Sequence, residues 1–306
     1  MRITPINGFI GAEISELDLR EPLDDGGFQT LNDALVRYEV VVLRNQDIAL
    51  EQQIAFGERF GPLSVHPFSP NLEKTPEVMV LDYSADNPPA RTDIWHSDET
   101  FRANPPMATV LRAKVVPDAG GDTLFASMSA AYRGLSERMK HYIHGLEALH
   151  DFRPFRDLLV GRHRERLREL EDQFPNPWHP VVRVHPVSGR RVLFVNPQFT
   201  LRIRDMKEDE SGTLLRFLYR QAHIPEYQLR VKWQPHTLVM WDNRSVQHYA
   251  AHDYYPARRT MERVTVAGDV PFGVSGRYTP ETVAGLGEIT PRIQTPGGPK
   301  RQFERV

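Results

Sequence analysis

Cysteine is absent from the 306 residues, which excludes a disulfide, a thiolate nucleophile and a sulfur-ligated metal. Any metal held here must use histidine, carboxylate, backbone oxygen or water. No apolar run is long enough to cross a bilayer, and the opening Met1-Arg2-Ile3-Thr4-Pro5-Ile6 has no apolar signal core. A cytoplasmic protein without membrane attachment is therefore expected. An excess of one charge is missing too. Lys and Arg number 38 against 40 Asp and Glu, for a net charge of −2, which gives no electrostatic reason to bind nucleic acid or an anionic surface. Repeats, low-complexity tracts and dividing linkers are also lacking, so a single domain over residues 1–306 is expected.

What is present reads mainly as strand. Phe28, Leu31, Ala34, Leu35 and Tyr38 recur at helical spacing, which predicts a helix over 28–37. Val40 to Leu43 follows as a short buried strand, and Leu50 to Phe60 as a second helix closed by Gly61 and Pro62. From residue 107 strands dominate. Met107 to Lys114 places Met107, Thr109, Leu111 and Ala113 on one face. Val181 to His185 and Arg191 to Val195 flank Ser188-Gly189 as a hairpin. Leu229 to Trp233, Thr237 to Trp241 and Arg263 to Ala267 are further strands, interrupted by helices at Ser129 to His144 and Glu208 to Ala222. Many short strands with turns between them predict a mainly β sandwich, jelly roll or barrel with flanking helices. The charged run Arg162 to Asp172 is either a solvated helix or part of a lid spanning about 153–178. The Pro- and Gly-rich stretch 291–306 reads as a loose tail.

The tripeptide His96-Ser97-Asp98 carries the chemistry. In an extended segment residues i and i+2 share a side, so His96 and Asp98 can reach one ion while Ser97 faces away. Two histidines and one carboxylate on one face of a metal form the facial triad of non-haem Fe(II) oxygenases. Trp95 and Phe101 are placed to wall such a site. The competing His163-Arg164-Glu165 lies in the charged helical run, where i and i+2 do not share a face. A third ligand comes from His248, His236 or His252, and spacing does not choose among them.

Three stretches resemble the taurine dioxygenase group of the TauD/TfdA family, the Fe(II)/2-oxoglutarate-dependent oxygenases. They are Trp95-His96-Ser97-Asp98-Glu99-Thr100-Phe101, Gly120-Gly121-Asp122-Thr123-Leu124, and Trp241-Asp242-Asn243-Arg244 through His248 to Ala250. The similarity continues through Asp253 to Arg259 and Arg263-Val264-Thr265, and covers the chain to about residue 273. It implies a double-stranded β-helix, a jelly-roll core of the clavaminate synthase-like kind. It implies iron bound by His96, Asp98 and His248, with O2 and 2-oxoglutarate as co-reactants. Thr123 and Arg259 match the residues holding the distal carboxylate of 2-oxoglutarate, a task suited to the forked donors of arginine. Arg263 and His66 match residues that bind a substrate sulfonate, and Phe199 matches an aromatic substrate neighbour. A homo-oligomer, dimer or tetramer, is expected on the same basis.

The far end of the implied substrate pocket departs from the family pattern. Ser69 stands where a tyrosine is usual, Thr92 or a neighbour replaces an asparagine, and Phe155 and Arg156 replace serine and phenylalanine. These changes fall where the ammonium end of taurine is recognised. The expectation is thus hydroxylation of a small anionic organosulfur substrate, a sulfonate or alkyl sulfate, next to the sulfur group. Sulfite or sulfate would leave with an aldehyde, alongside succinate and CO2. The alternatives are the same chemistry on an aryloxyalkanoate or phosphonate, a zinc hydrolase, or a jelly-roll binding protein without catalysis.

Overall fold

Seven strands hydrogen-bond into one sheet in the order Arg2–Pro5, Ala12–Ser15, Val40–Leu43, Leu238–Asp242, Ala108–Val115, Arg259–Val266 and Val78–Tyr83. This computed structural model describes residues 1–68, 71–88, 93–153, 155 and 164–281. Opposite the large sheet lie Gln228–Val231, Thr123–Ser127 and Val246–Ala250, paired antiparallel. The space between the sheets is filled from both sides. Val42, Leu111, Val239 and Trp241 of the large sheet meet Phe125, Leu229 and Val246 of the small one.

The large sheet is buried on its outer face as well. Val41, Ala108, Val110 and Met240 pack there against Leu31 and Leu35 of the Asp25–Tyr38 helix and Phe56 of the Leu50–Glu58 helix. Each fully buried leucine contributes roughly 1.5–3 kcal/mol. Burial on both faces explains why Val40 to Leu43 is a continuous apolar run with no alternation. The Asp25–Tyr38 helix starts where the Asp24 side chain accepts a hydrogen bond from Gly27 N at 2.6 Å. Behind the small sheet, Ala126 packs against Met128, Leu214 and Leu218 of flanking helices.

Two opposed sheets, antiparallel except where Ala12–Ser15 runs parallel to Val40–Leu43, with helices outside, are the jelly-roll core that the strand pattern predicts. Three local expectations change. The helix over 129–144 divides into Met128–Arg133 and Glu137–Ile143, because Gly134 ends the first and the Ser136 side chain caps the second. Met107 packs on the helix side of the large sheet, whereas Leu111 and Ala113 face the barrel. The last large strand begins at Arg259, four residues earlier than its apolar pattern suggests. The 291–306 tail, Ser69, Thr92, Arg156 and His163 all lie outside the described residues. Of the 153–178 segment, Arg164–Gln173 forms a helix whose Leu167 and Leu170, with Phe174 beyond it, join the apolar cluster of Phe101, Phe152 and Phe199.

Candidate active site

His96 and His248 lie side by side across an antiparallel bridge. His96 N donates to His248 O at 3.0 Å and His248 N to His96 O at 2.7 Å. Their rings are 4.1 Å apart. His248 sits within the Val246–Ala250 strand, paired with Phe125 on its other side. Asp98 enters from the turn after His96, with its Oδ1 3.9 Å from Nε2 of each histidine. Ser97 turns away and donates to Val246 O at 2.6 Å. His96, Asp98 and His248 thus form one buried group, each with a ligand atom within 4.8 Å of the others.

The protonation states suit a cation. His96 Nδ1 is 2.8 Å from Ile94 O; a carbonyl only accepts, so the proton lies on Nδ1 and the Nε2 lone pair faces Asp98. Burial pushes both imidazoles towards the neutral form, His248 to about 3. Burial by itself would raise the Asp98 carboxyl, but Arg263, His248 and His96 hold it well below the usual carboxylate range. Its Oδ2 accepts from Thr109 Oγ1 at 2.7 Å. Thr109 in turn accepts from Asn243 Nδ2 at 3.0 Å, and Asn243 Oδ1 accepts from Trp241 Nε1 at 2.9 Å. This chain fixes the carboxylate so that Oδ1 faces the histidines. The donor set, hard oxygen plus two neutral imidazoles, fits a divalent ion such as Fe(II).

One pocket joins His96 and His248 to Thr123, Arg259 and Arg263, with walls from Leu81, Tyr83, Leu111, Trp241 and Tyr254. Arg259 is 5 % exposed, and its Nε donates to Gly121 O at 3.1 Å. Gly121 has φ +71°, and a Cβ there would sit 3.1 Å from Arg259 Cδ, so the glycine lets the arginine lie close. Trp233 Nε1 donates to Thr123 Oγ1 at 3.0 Å, which leaves the Thr123 hydroxyl proton for another acceptor. Arg263 Nη2 lies 3.0 Å from Asp98 Oδ1 and 3.8 Å from Glu99 Oε1.

His66 Nδ1 accepts from Phe68 N at 3.2 Å, which puts its proton on Nε2. Burial pushes this imidazole down to about 4, with Glu99 and Asp98 pulling it up and Arg263 and Arg102 pushing it down. Beside it runs an aromatic wall. Phe155 is 5.6 Å from the His66 ring and stacks on Phe68 at 4.8 Å. Phe199 lies 6.1 Å from Phe155 and 6.2 Å from His96.

The other expected residues fall elsewhere. Trp95 does not wall the site; it packs near Tyr249 and His223 on the outer side of the small sheet. His236 pairs with Asp47 at 3.1 Å in a half-exposed setting. His252 lines the pocket but lies 3.9 Å from Asp93 and is not part of the ligand group. Sequence reasoning missed Tyr83, Thr109 and Asn243. Thr109 had a signal, a polar residue on the inner face of an apolar strand.

A family model described as "Taurine catabolism dioxygenase TauD, TfdA family" matches residues 2–265. An alpha-ketoglutarate-dependent sulfate ester dioxygenase of Pseudomonas putida is 35 % identical, over 92 % of this chain and 95 % of the relative. An alkylsulfatase of Acinetobacter baylyi is 34 % identical, over 90 % and 88 %. Among solved structures, a taurine dioxygenase from Burkholderia xenovorans superposes with a TM-score of 0.77 at 34 % identity, covering 90 % of this chain and 94 % of that one.

Proposed function

The chain belongs to the TauD/TfdA family of Fe(II)- and 2-oxoglutarate-dependent dioxygenases, and we propose that it hydroxylates small anionic organosulfur compounds with an uncharged alkyl or aryl tail. His96, Asp98 and His248 hold the iron. Thr123 and Arg259 take the distal carboxylate of 2-oxoglutarate. Arg263 and the Nε2–H of His66 bind the anionic head group, and Phe199 and Phe155 cover its tail. When bound, Fe(II) with 2-oxoglutarate and O2 supplies the oxidising chemistry. One oxygen atom goes into succinate, formed with CO2. The other becomes a hydroxyl on the carbon next to the sulfur group, and that product falls apart to an aldehyde plus sulfate or sulfite.

One observation carries this reading: two arginines, the buried Arg259 and the partly buried Arg263, share a single pocket with His96 and His248 of the His-Asp-His group. Two cationic side chains and one ligand group with a carboxylate are what a dicarboxylate cosubstrate, an anionic substrate and a divalent metal require. Support for an uncharged tail comes from the wall beside His66, where Phe155 and Phe68 stack in place of a hydrogen-bonding group. The Arg164–Gln173 helix, docked through Leu170 onto the same aromatic cluster, acts as part of a lid that keeps water from the reacting carbon. The proposal includes a single-domain homo-oligomer, dimer or tetramer, in the cytoplasm; no helix among the described residues is long and apolar enough to cross a membrane.

Competition under limiting enzyme tests the substrate reading. Taurine, a chain-matched alkanesulfonate lacking the amine, and the corresponding alkyl sulfate are offered together, with aldehyde, sulfite and sulfate measured. The amine-free compounds should be consumed at least as fast as taurine. A clear preference for taurine overturns the uncharged-tail reading.

A further inference from the structure

Tyr83 ends the outermost strand of the large sheet and pairs in register with Arg259 on the neighbouring strand. Side chains along a strand alternate between faces. Asp82 points outward, where it pairs with Arg258 at 2.7 Å and accepts from Thr260 at 2.8 Å. Leu81 and Tyr83 therefore turn inward, and both line the pocket that Arg259 lines. Among the described residues the Tyr83 hydroxyl makes no hydrogen bond. Burial raises its pKa, although Arg259 and Arg263 oppose the rise. The phenol thus stays protonated at neutral pH and remains a donor.

Arg259 is also short of partners. It is buried, it spends one N–H on Gly121 O, and among the described residues it forms no ion pair, the Asp122 carboxylate that acts on it being paired with Arg230. A carboxylate offers about four lone-pair sites. A guanidinium fork fills two, and Thr123 supplies one more donor.

We propose that the Tyr83 hydroxyl is a further donor to the distal carboxylate of 2-oxoglutarate, acting beside Thr123 and Arg259. The inference rests on this pocket being the cosubstrate site. It gives Tyr83 a role in specificity, because the hydroxyl rewards only an oxo acid whose second carboxylate reaches the Arg259 end. Tyr83 differs from Arg259 in carrying no charge, so its contribution is directional.

The test measures oxygen-free binding to the Mn(II)-loaded protein by calorimetry, with 2-oxoglutarate and with 2-oxovalerate, which lacks the distal carboxylate. Tyr83→Phe should weaken 2-oxoglutarate about tenfold and 2-oxovalerate by less than about twofold, the size of a hydrogen bond to a charged group. The phenylalanine keeps the ring and its packing, and thermal melting checks the fold. Equal weakening of both acids, or of neither, overturns the inference. Arg259→Ala is measured in parallel to keep the two layers apart. If it loses the preference for the dicarboxylate while Tyr83→Phe retains it in full, the Tyr83 role alone fails. If Arg259→Ala also retains the preference, the pocket assignment fails and the inference with it.

Discussion

Arg263 Nη2 lies 3.0 Å from Asp98 Oδ1, the same oxygen that lies 3.9 Å from Nε2 of both His96 and His248. One carboxylate oxygen therefore faces both the proposed metal position and the proposed head-group arginine. A metal ion and Arg263 are two cations at that oxygen, and each weakens the hold of the other.

Removing Arg263 should thus act on metal and substrate in opposite senses. Arg263→Ala is expected to tighten Mn(II) binding by roughly tenfold, about 1.4 kcal/mol, as a nearby positive charge is lost. The same variant should raise KM for the anionic substrate strongly. Metal titration by calorimetry and steady-state kinetics on one preparation check both. Weakening of both metal and substrate would mean that Arg263 mainly holds the local fold.

Acid stability gives an independent check on the support behind the turn that carries His96 and Asp98. His179 Nε2 lies 3.0 Å from Thr100 O and 2.9 Å from Arg102 O, and His150 Nδ1 lies 2.9 Å from Thr100 Oγ1. Burial pushes His179 down to about 4 and His150 well below its ordinary value. Both are neutral in the folded chain, while the unfolded chain protonates them near pH 6.5. Their contribution to stability is complete above pH 6.5 and is lost in acid, that of His179 as pH falls towards 4. For His179 the loss amounts to roughly 3 kcal/mol across that window. His179→Gln keeps a donor without the titration, so the metal-free variant should show a shallower fall in melting temperature from pH 6.5 to 4. An unchanged slope would remove His179 from the account.

Phe155 stacks on Phe68 at 4.8 Å and lies 5.6 Å from His66. If this wall covers the tail, Phe155→Ala should raise KM more for longer alkyl sulfates than for short ones, by up to about tenfold per 1.4 kcal/mol of lost apolar contact. Its 2-oxoglutarate KM should stay near that of the parent. Comparing ethyl and hexyl sulfate in both proteins reads the difference.

How much was legible beforehand follows from the kind of signal each residue carries. The helix over 28–37 and the strand at Val40 announce themselves through spacing and a pure apolar run. Strands such as Thr123–Ser127 and Val246–Ala250 carry polar inward residues, Thr123 and His248, where the site needs them, and so lose the alternation that marks a strand. His96 and Asp98 were legible as a pair from i, i+2 geometry. Spacing did not choose the partner histidine, because the bridge joining His96 to His248 spans 152 positions; the family resemblance singled it out. Tyr83 and Arg259 meet only through strand register, a relationship that composition and local spacing do not encode. The division of the 129–144 helix was readable in Gly134 and Ser136, and the apolar residues on both sides of them masked it.

The most direct measurement is the stoichiometry of a single reaction. The Fe(II)-loaded protein is given 2-oxoglutarate, O2 and an alkyl sulfate, with succinate, aldehyde and sulfate counted together. Succinate and sulfate should form in equal amounts, and both should vanish without O2, without 2-oxoglutarate, or in a folded Asp98→Ala protein. Sulfate released with no 2-oxoglutarate consumed would contradict the account, since it would show hydrolysis at a metal site instead of oxidation.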